Sequence, residues 1–297
     1  MIPLEIKDYL NKALKEGWAL PHFNVSDAVT LRGICETAKE LKSPLMIGTS
    51  EGERNFIGLR QAVAMARAYH EEYNLSIFLN ADHHRSVSAA QEAINAGYDS
   101  VHIDLSAAQL EENIKSTKEV VEYARQMSNV KGQMSKISVE GEVGYLVTES
   151  SKIYKEVIEI PPESLTRPEE AARFVKETGV NRFAPAVGNL HGISANAPKL
   201  DFERIKAIRK AIGNEVALVL HGGSGIPDDQ IREAIKCGIN NVHINTELRV
   251  AYAEALRKFL AEHPDETTPY KFFASVIEAV RQKTAEKIIL FGSVHRI

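Results

Sequence analysis

Cysteine is scarce: the 297 residues contain two, Cys35 and Cys237. They lie far apart in helix-like stretches, "LRGICETAKEL" and "IREAIKCGI". That argues against a disulfide framework and leaves reduced core thiols as the expected state. Long apolar runs are missing as well. Nothing approaches the roughly 20 apolar residues of a membrane span. The opening "MIPLEIKDYLNKALKEG" carries charges where a signal peptide would have its apolar region. Charge of one sign is also missing. The 36 Lys and Arg against 40 Asp and Glu give a net charge of −4, with no block of like charge. Neither a nucleic-acid partner nor a membrane partner is supported. What remains, 44% hydrophobic and 26% charged residues, is ordinary for a soluble globular chain. A cytoplasmic enzyme is the expectation.

Short apolar runs alternate with longer amphipathic ones. Strands are expected at Trp18–Phe23, Pro44–Thr49, Ser76–Leu79, Ser100–Ile103, Ile137–Glu142, Arg182–Val187, Val216–Leu220 and Asn241–Ile244. Between them, apolar residues recur at i, i+3 and i+4, as in "DAVTLRGICETAKELK" and "DFERIKAIRKAIG". Strict strand–helix alternation argues for a parallel sheet. Eight units argue for closure into a (β/α)₈ TIM barrel. An open doubly wound sheet is the second choice, but no GxGxxG follows the first strand. No linker or low-complexity segment divides the chain, so residues 1–297 are read as one catalytic domain. The tail Pro264–Ile297 adds helix beyond the eighth unit. The stretch Gly144–Arg167 is too long for a plain connection and reads as a lid or binding loop.

In a barrel, chemistry collects at the C-terminal ends of the strands. Those ends place Asn24, Ser50, Asp82 with His83 and His84, Asp104, Glu140 with Glu142, His191, His221, and Asn245 with Thr246. Each alone has an ordinary explanation as a helix cap or a turn. Their recurrence at one end of consecutive βα units does not. His83, His191 and His221 could converge across the mouth. Three protein ligands with room for substrate suit a catalytic zinc, and imidazole favours zinc or another transition metal over magnesium. Glu142 is a further or alternating ligand. A phosphate signal stands apart from these. "HGGSG" offers backbone N–H groups beside a helix starting near Pro227, and "INTE" adds Asn245 and Thr246 as donors.

Together these segments resemble the class II, metal-dependent ketose-bisphosphate aldolases. The resemblance runs through "LKEGWALPHFNVSD", "ADHH", "AGYDSVHIDLS", "VEGEVG", "AVGNLHGIS" and "LHGGSGIP" with "INTELR". It implies reversible cleavage of a ketose 1,6-bisphosphate to dihydroxyacetone phosphate and an aldehyde through a metal-stabilised enediolate. Fructose 1,6-bisphosphate comes first, tagatose 1,6-bisphosphate second, and a deoxy sugar-acid phosphate is a further alternative. It implies Zn2+, replaceable by Co2+ or another divalent metal, with a monovalent Na+ or K+ near the phosphate, and a homodimer or homotetramer. By the same resemblance His83, His191 and His221 hold the metal, with Glu142 and Asp104 at a second or displaced position. Asp82 carries the catalytic proton, and Glu149 is the nearest match to the proton-abstracting acid. Asn24, Ser50 and His243 meet substrate. Gly192, Gly222, Gly223, Ser224, Asn245 and Thr246 hold phosphate and cation.

The chain departs from the family pattern at His84, at His243 and in the loop "GYLVTESSKIYKE". Two other classes also fit a rim metal site: a metal-dependent hydrolase, and a non-catalytic binder of sugar phosphates. The intact HGGSG segment weighs against the first. Asp82 and the three histidines weigh against the second. In "ADHH" strand alternation alone does not choose between His83 and His84; the resemblance chooses His83 as the ligand and Asp82 as the proton carrier.

Overall fold

Eight parallel strands pair in sequence order, and the last returns to the first to close a barrel. A computed structural model describes residues 5–130, 136–149, 152–196 and 199–297. The strands are β1 Leu20–Asn24, β2 Leu45–Thr49, β3 Ile77–His84, β4 Ser100–Ile103, β5 Ser138–Val143, β6 Arg182–Pro185, β7 Ala217–Leu220 and β8 Ile239–Ile244. All eight expected strands form. The main difference is β3, expected to stop at Leu79, which continues to His84.

The helices are α1 Ile6–Glu16, α2 Ala28–Glu40, α3 Glu51–Ile57, α4 Leu59–Tyr73, α5 Val87–Ala96, α6 Leu110–Val130, α7 Pro168–Thr178, α8 Phe202–Ile212, α9 Asp228–Lys236, α10 Thr246–Glu262 and α11 Pro269–Leu290. Short polar residues set their starts. Asp27 accepts from Thr30 N at 2.7 Å, and Asp201 accepts from Arg204 N at 2.9 Å, so each satisfies an orphan amide of the first turn. Helix α11 accounts for the expected C-terminal helix and packs on α2 and α10.

Strand side chains alternate between two faces. Residues such as Phe23, Leu79, Val101, Val139, Phe183 and Val242 face outward and join the large core under the helices. The inward set begins apolar. Leu20, Met46 and Ala217 pack with Trp18 and with Ile6, Tyr9, Leu10 and Ala13 of α1, so that helix plugs the lower end of the barrel. The next inward residues are polar. Arg182 is fully buried and donates to Asn80 at 2.8 Å, to Asn241 at 3.2 Å and to Ser100, which ties four strands together. Its charge is met by Glu140, whose carboxylate lies 2.6 Å away. Gly48 makes room in this layer, because a Cβ there would stand 2.2 Å from the His22 ring.

Breaking this pair should be costly, because the remaining charge stays buried without its partner. Arg182→Met is expected to lower stability by about 3–5 kcal/mol and the melting temperature by on the order of 10 °C. Adding Glu140→Gln should recover part of that loss. Differential scanning calorimetry checks this, and a midpoint within about 2 °C of wild type would show that the pair matters little.

Candidate active site

The mouth of the barrel is shaped first by a bulge. Ala81 pairs with Val101 and His84 with Ile103, so three steps along β3 span two along β4. His83 is the extra residue and takes a left-handed backbone conformation, φ 50, which a bulge re-aims. Asp82 and His83 therefore both line one recess, while His84 turns away beneath α3. The His84 ring meets the Arg54 guanidinium, and burial followed by that cation lowers its pKa to about 3. The β3 segment thus answers its own question: His83 faces the mouth, and His84 is a neutral buried partner of Arg54.

The recess is lined by Asn24, Ser50, Asp82, His83, His191, Gly192, His221, Gly222, Ser224, His243, Asn245 and Thr246. Every one of these is a position the sequence singled out. His83 is central. Its Nδ1 lies 2.8 Å from Asp104 Oδ2, and its ring centroid lies 4.8 Å from that of His191 and 4.6 Å from that of His221. Burial opposes charge on His83, but Asp82 and Asp104 outweigh it and push its pKa up to about 9. The same negative field would draw a metal cation. His191 has the opposite balance. Burial first, then His83 and His221, hold it well below the usual histidine range. Its buried Nε2 has no hydrogen-bond partner.

Four groups of donor atoms come within 4.8 Å of one another among the described residues: His83 with Asp104 and Glu142; Asp82 with His83, His102 and His221; His22 with Asp82 and His243; and Glu140 with His221 and His243. His191 belongs to none of them, although its ring lies beside that of His83. The orphaned lone pairs on Glu142 Oε2 and His191 Nε2, both buried, are what a bound cation would satisfy. This donor set of imidazoles and carboxylates fits a transition metal such as zinc better than magnesium.

Asp82 is 3% exposed and its Oδ2 accepts from Asn24 Nδ2 at 3.0 Å. The same amide group also donates to Glu53 at 3.0 Å, and Glu53 accepts from Ser50 N and from Arg249. Burial alone would raise Asp82. His83, the neighbouring His102 imidazole, and then His22 and His243 outweigh it and hold the carboxyl well below its ordinary range.

Sequence reasoning missed several groups. His102 sits between Asp82, Glu140 and Glu142, at 3.7, 3.8 and 3.4 Å. His22 stacks on His243, with ring centroids 3.5 Å apart. Glu140, read only as a rim acid, pairs deeper with His221 at 2.6 Å. The available signal was the period of two: His102 precedes Asp104, Glu140 precedes Glu142 and His22 precedes Asn24 by two residues, which puts each pair on the inner face.

The glycine-rich segment read as a phosphate loop reaches the recess in part, through Gly222 and Ser224. Gly222 has φ 63 and no room for a Cβ, which would stand 1.9 Å from Leu190 O. Gly223 lies behind the lining and its amide is spent on His243 O at 3.0 Å. The helix end presented to the recess is that of α10, through Asn245 and Thr246. Helix α9 instead starts with Asp228 and Asp229, outside the lining. Glu149 stands apart from the other candidates. Its side chain is 72% exposed and ion-paired to Lys152. It lines an outer cleft of about 870 Å³ with Ser50, His83, Asp104, Glu142 and His191.

The family profile of class II fructose-bisphosphate aldolase matches residues 4–296. The chain belongs to that family. As a class II aldolase it is a lyase that breaks and forms a carbon–carbon bond. Among solved structures it is similar to the YdjI aldolase from Escherichia coli K12, with 32% identity, 98% of each chain covered and a TM-score of 0.79. The fold is shared with a putative fructose-1,6-bisphosphate aldolase from Coccidioides immitis, at 24% identity, 96% and 95% coverage and a TM-score of 0.81. It is shared too with the fructose-bisphosphate aldolase of Campylobacter jejuni, at 19% identity, 99% and 97% coverage and a TM-score of 0.80. Among the described residues, no helix of this aldolase is long and apolar enough to cross a membrane.

Proposed function

We propose that this aldolase reversibly cleaves a ketose 1,6-bisphosphate to dihydroxyacetone phosphate and an aldehyde, with zinc as its metal. Fructose 1,6-bisphosphate is the leading substrate, ahead of tagatose 1,6-bisphosphate. The observation that carries this reading is the buried Asp82 carboxylate, held by Asn24 in the same recess as His83, His191 and His221. His83, His191 and His221 would hold the metal, with Glu142 and Asp104 offering an alternative position beside His83. Bound there, it supplies Lewis-acid polarisation of the substrate's carbonyl and hydroxyl oxygens. Cobalt or another divalent ion would serve in zinc's place, and a monovalent Na+ or K+ is proposed beside Ser224 and Asn245.

The chain's own groups divide the remaining work. Cleavage needs a base for the C4 hydroxyl. Asp82, held ionised by the histidines around it, takes that proton as the C3–C4 bond breaks, and returns it during condensation. Asn24 fixes the carboxylate through one oxygen and leaves Oδ1 without a hydrogen-bond partner. Ser50 and His243 meet the substrate's hydroxyls, while Gly192, Gly222, Ser224 and the start of α10 hold the phosphate that keeps the reacting carbons aligned. Glu149 is proposed to exchange the proton on the dihydroxyacetone phosphate carbon. For that it leaves Lys152 and swings inward from the loop. No lysine Schiff base is needed, so the route differs from that of the class I aldolases.

We place the enzyme in the cytoplasm as a homodimer or homotetramer. Tyr270 and Ile289 of α11, 77% and 61% exposed, offer apolar surface for a second copy. The substrate is tested by triose phosphate release from a panel of ketose phosphates in zinc. Fructose or tagatose 1,6-bisphosphate should give the highest kcat/KM. Release from neither would overturn the assignment.

A further inference from the structure

The outer cleft beside His83 is where the half of the substrate that leaves as aldehyde must lie, because the recess on the other side carries the phosphate loop. Its charges are unevenly partnered. Asp104 is bound to His83 and to Ser106, at 2.8 and 2.7 Å. Glu142 faces His102 at 3.4 Å, and Glu149 is paired with Lys152. Glu51 accepts the Arg85 backbone amide at 3.1 Å and sits in the first turn of α3. Each acid of the cleft therefore has a partner. Arg85 is the cation that lines it. Its guanidinium has no carboxylate within ion-pair distance among the described residues.

The position is set by the chain. Arg85 follows His83 by two residues, at the point where β3 gives way to α5. Its backbone amide is anchored to Glu51, so the side chain starts at the rim of the cleft that it lines. Glu149, Glu142 and Asp104 line the same cleft. A guanidinium presents a planar fork that suits phosphate and carboxylate oxygens alike.

We infer that Arg85 is a specificity-determining residue that binds an anionic group at the far end of the substrate's aldehyde half. This rests on the ketose-phosphate reading above and adds a selection rule to it: a substrate ending in a phosphate or a carboxylate is preferred over one ending in a neutral hydroxymethyl group. The two anions share one recognition chemistry, and the assay separates them.

The test compares three ketose 1-phosphates that differ only in the far terminus: phosphate, carboxylate and hydroxymethyl. Triose phosphate release is measured for wild type, Arg85→Gln and Arg85→Lys, with KM and kcat resolved. Wild type should prefer one or both anionic termini. In Arg85→Gln the ratio of kcat/KM for the preferred anionic substrate over the neutral one should fall about tenfold or more, mainly through KM, the size of one charge-assisted contact. Arg85→Lys should restore part of that ratio, since it keeps the charge and loses the fork. A melting temperature equal to wild type would separate the effect from misfolding. An unchanged ratio in Arg85→Gln, or no preference in wild type, would overturn the inference while leaving the aldolase reading intact. No triose phosphate from any of the three with wild-type enzyme would overturn the ketose-phosphate reading, and this inference with it.

Discussion

Replacing Asp82 with asparagine should leave the protein folded and metal-loaded yet lower cleavage by about 10³-fold. The substitution preserves shape in a site that is 3% exposed, so little packing is lost. It removes the charge that His83, His102, His22 and His243 surround and that is proposed to take the proton from the C4 hydroxyl. The loss should fall on kcat, because the phosphate contacts remain. Rates measured alongside metal content decide the matter. Turnover within about threefold of wild type would show that Asp82 is not the proton carrier.

The adjacent histidines should behave differently despite their shared segment. His83→Ala is expected to reduce bound zinc from about one per chain to background and to abolish cleavage, since a three-ligand site does not survive the loss of its central ligand. His84→Ala should keep the metal. Its ring faces Arg54 under α3 and lies outside the lining of the recess. Metal analysis of the two purified variants reads this directly. Equal loss of zinc from both would mean that the bulge does not separate their roles.

The bulge is also where the sequence stopped being legible. The eight strands were readable because their outward residues are apolar and flanked by amphipathic helices, two signals that reinforce each other. The recess was readable because polar residues collect at strand ends. The choice between His83 and His84 was not readable from alternation and rested on the family resemblance, since one extra residue on β3 breaks the alternation on which such a choice depends. The buried layer of His22, Asn80, Arg182 and Glu140 was hidden for another reason. Charged side chains inside a barrel read as surface until their partners across the barrel are known, and those partners are 42 to 102 residues away in the chain. Gly223 shows the same limit on a smaller scale. A glycine-rich turn announces free amides, but only the fold reveals that this one is already bound to His243 O.

His191 sharpens the metal assignment. Its ring lies beside His83 while its buried Nε2 stays unsatisfied, outside all four close groups of donor atoms among the described residues. A cation joining His191 to His83 and His221 would remove that deficit, and Asp104 would then orient His83 through its Nδ1, as carboxylates commonly do for metal-bound imidazoles.

The central claim is that a metal held by the mouth histidines, and no lysine, drives carbon–carbon cleavage. One measurement addresses it most directly: triose phosphate release from fructose 1,6-bisphosphate after chelation, after adding back zinc or cobalt, and after borohydride treatment in the presence of substrate. The account predicts that chelation abolishes cleavage, that either metal restores it, and that borohydride leaves the enzyme active. Full activity in chelator, or inactivation by borohydride with substrate, would contradict it.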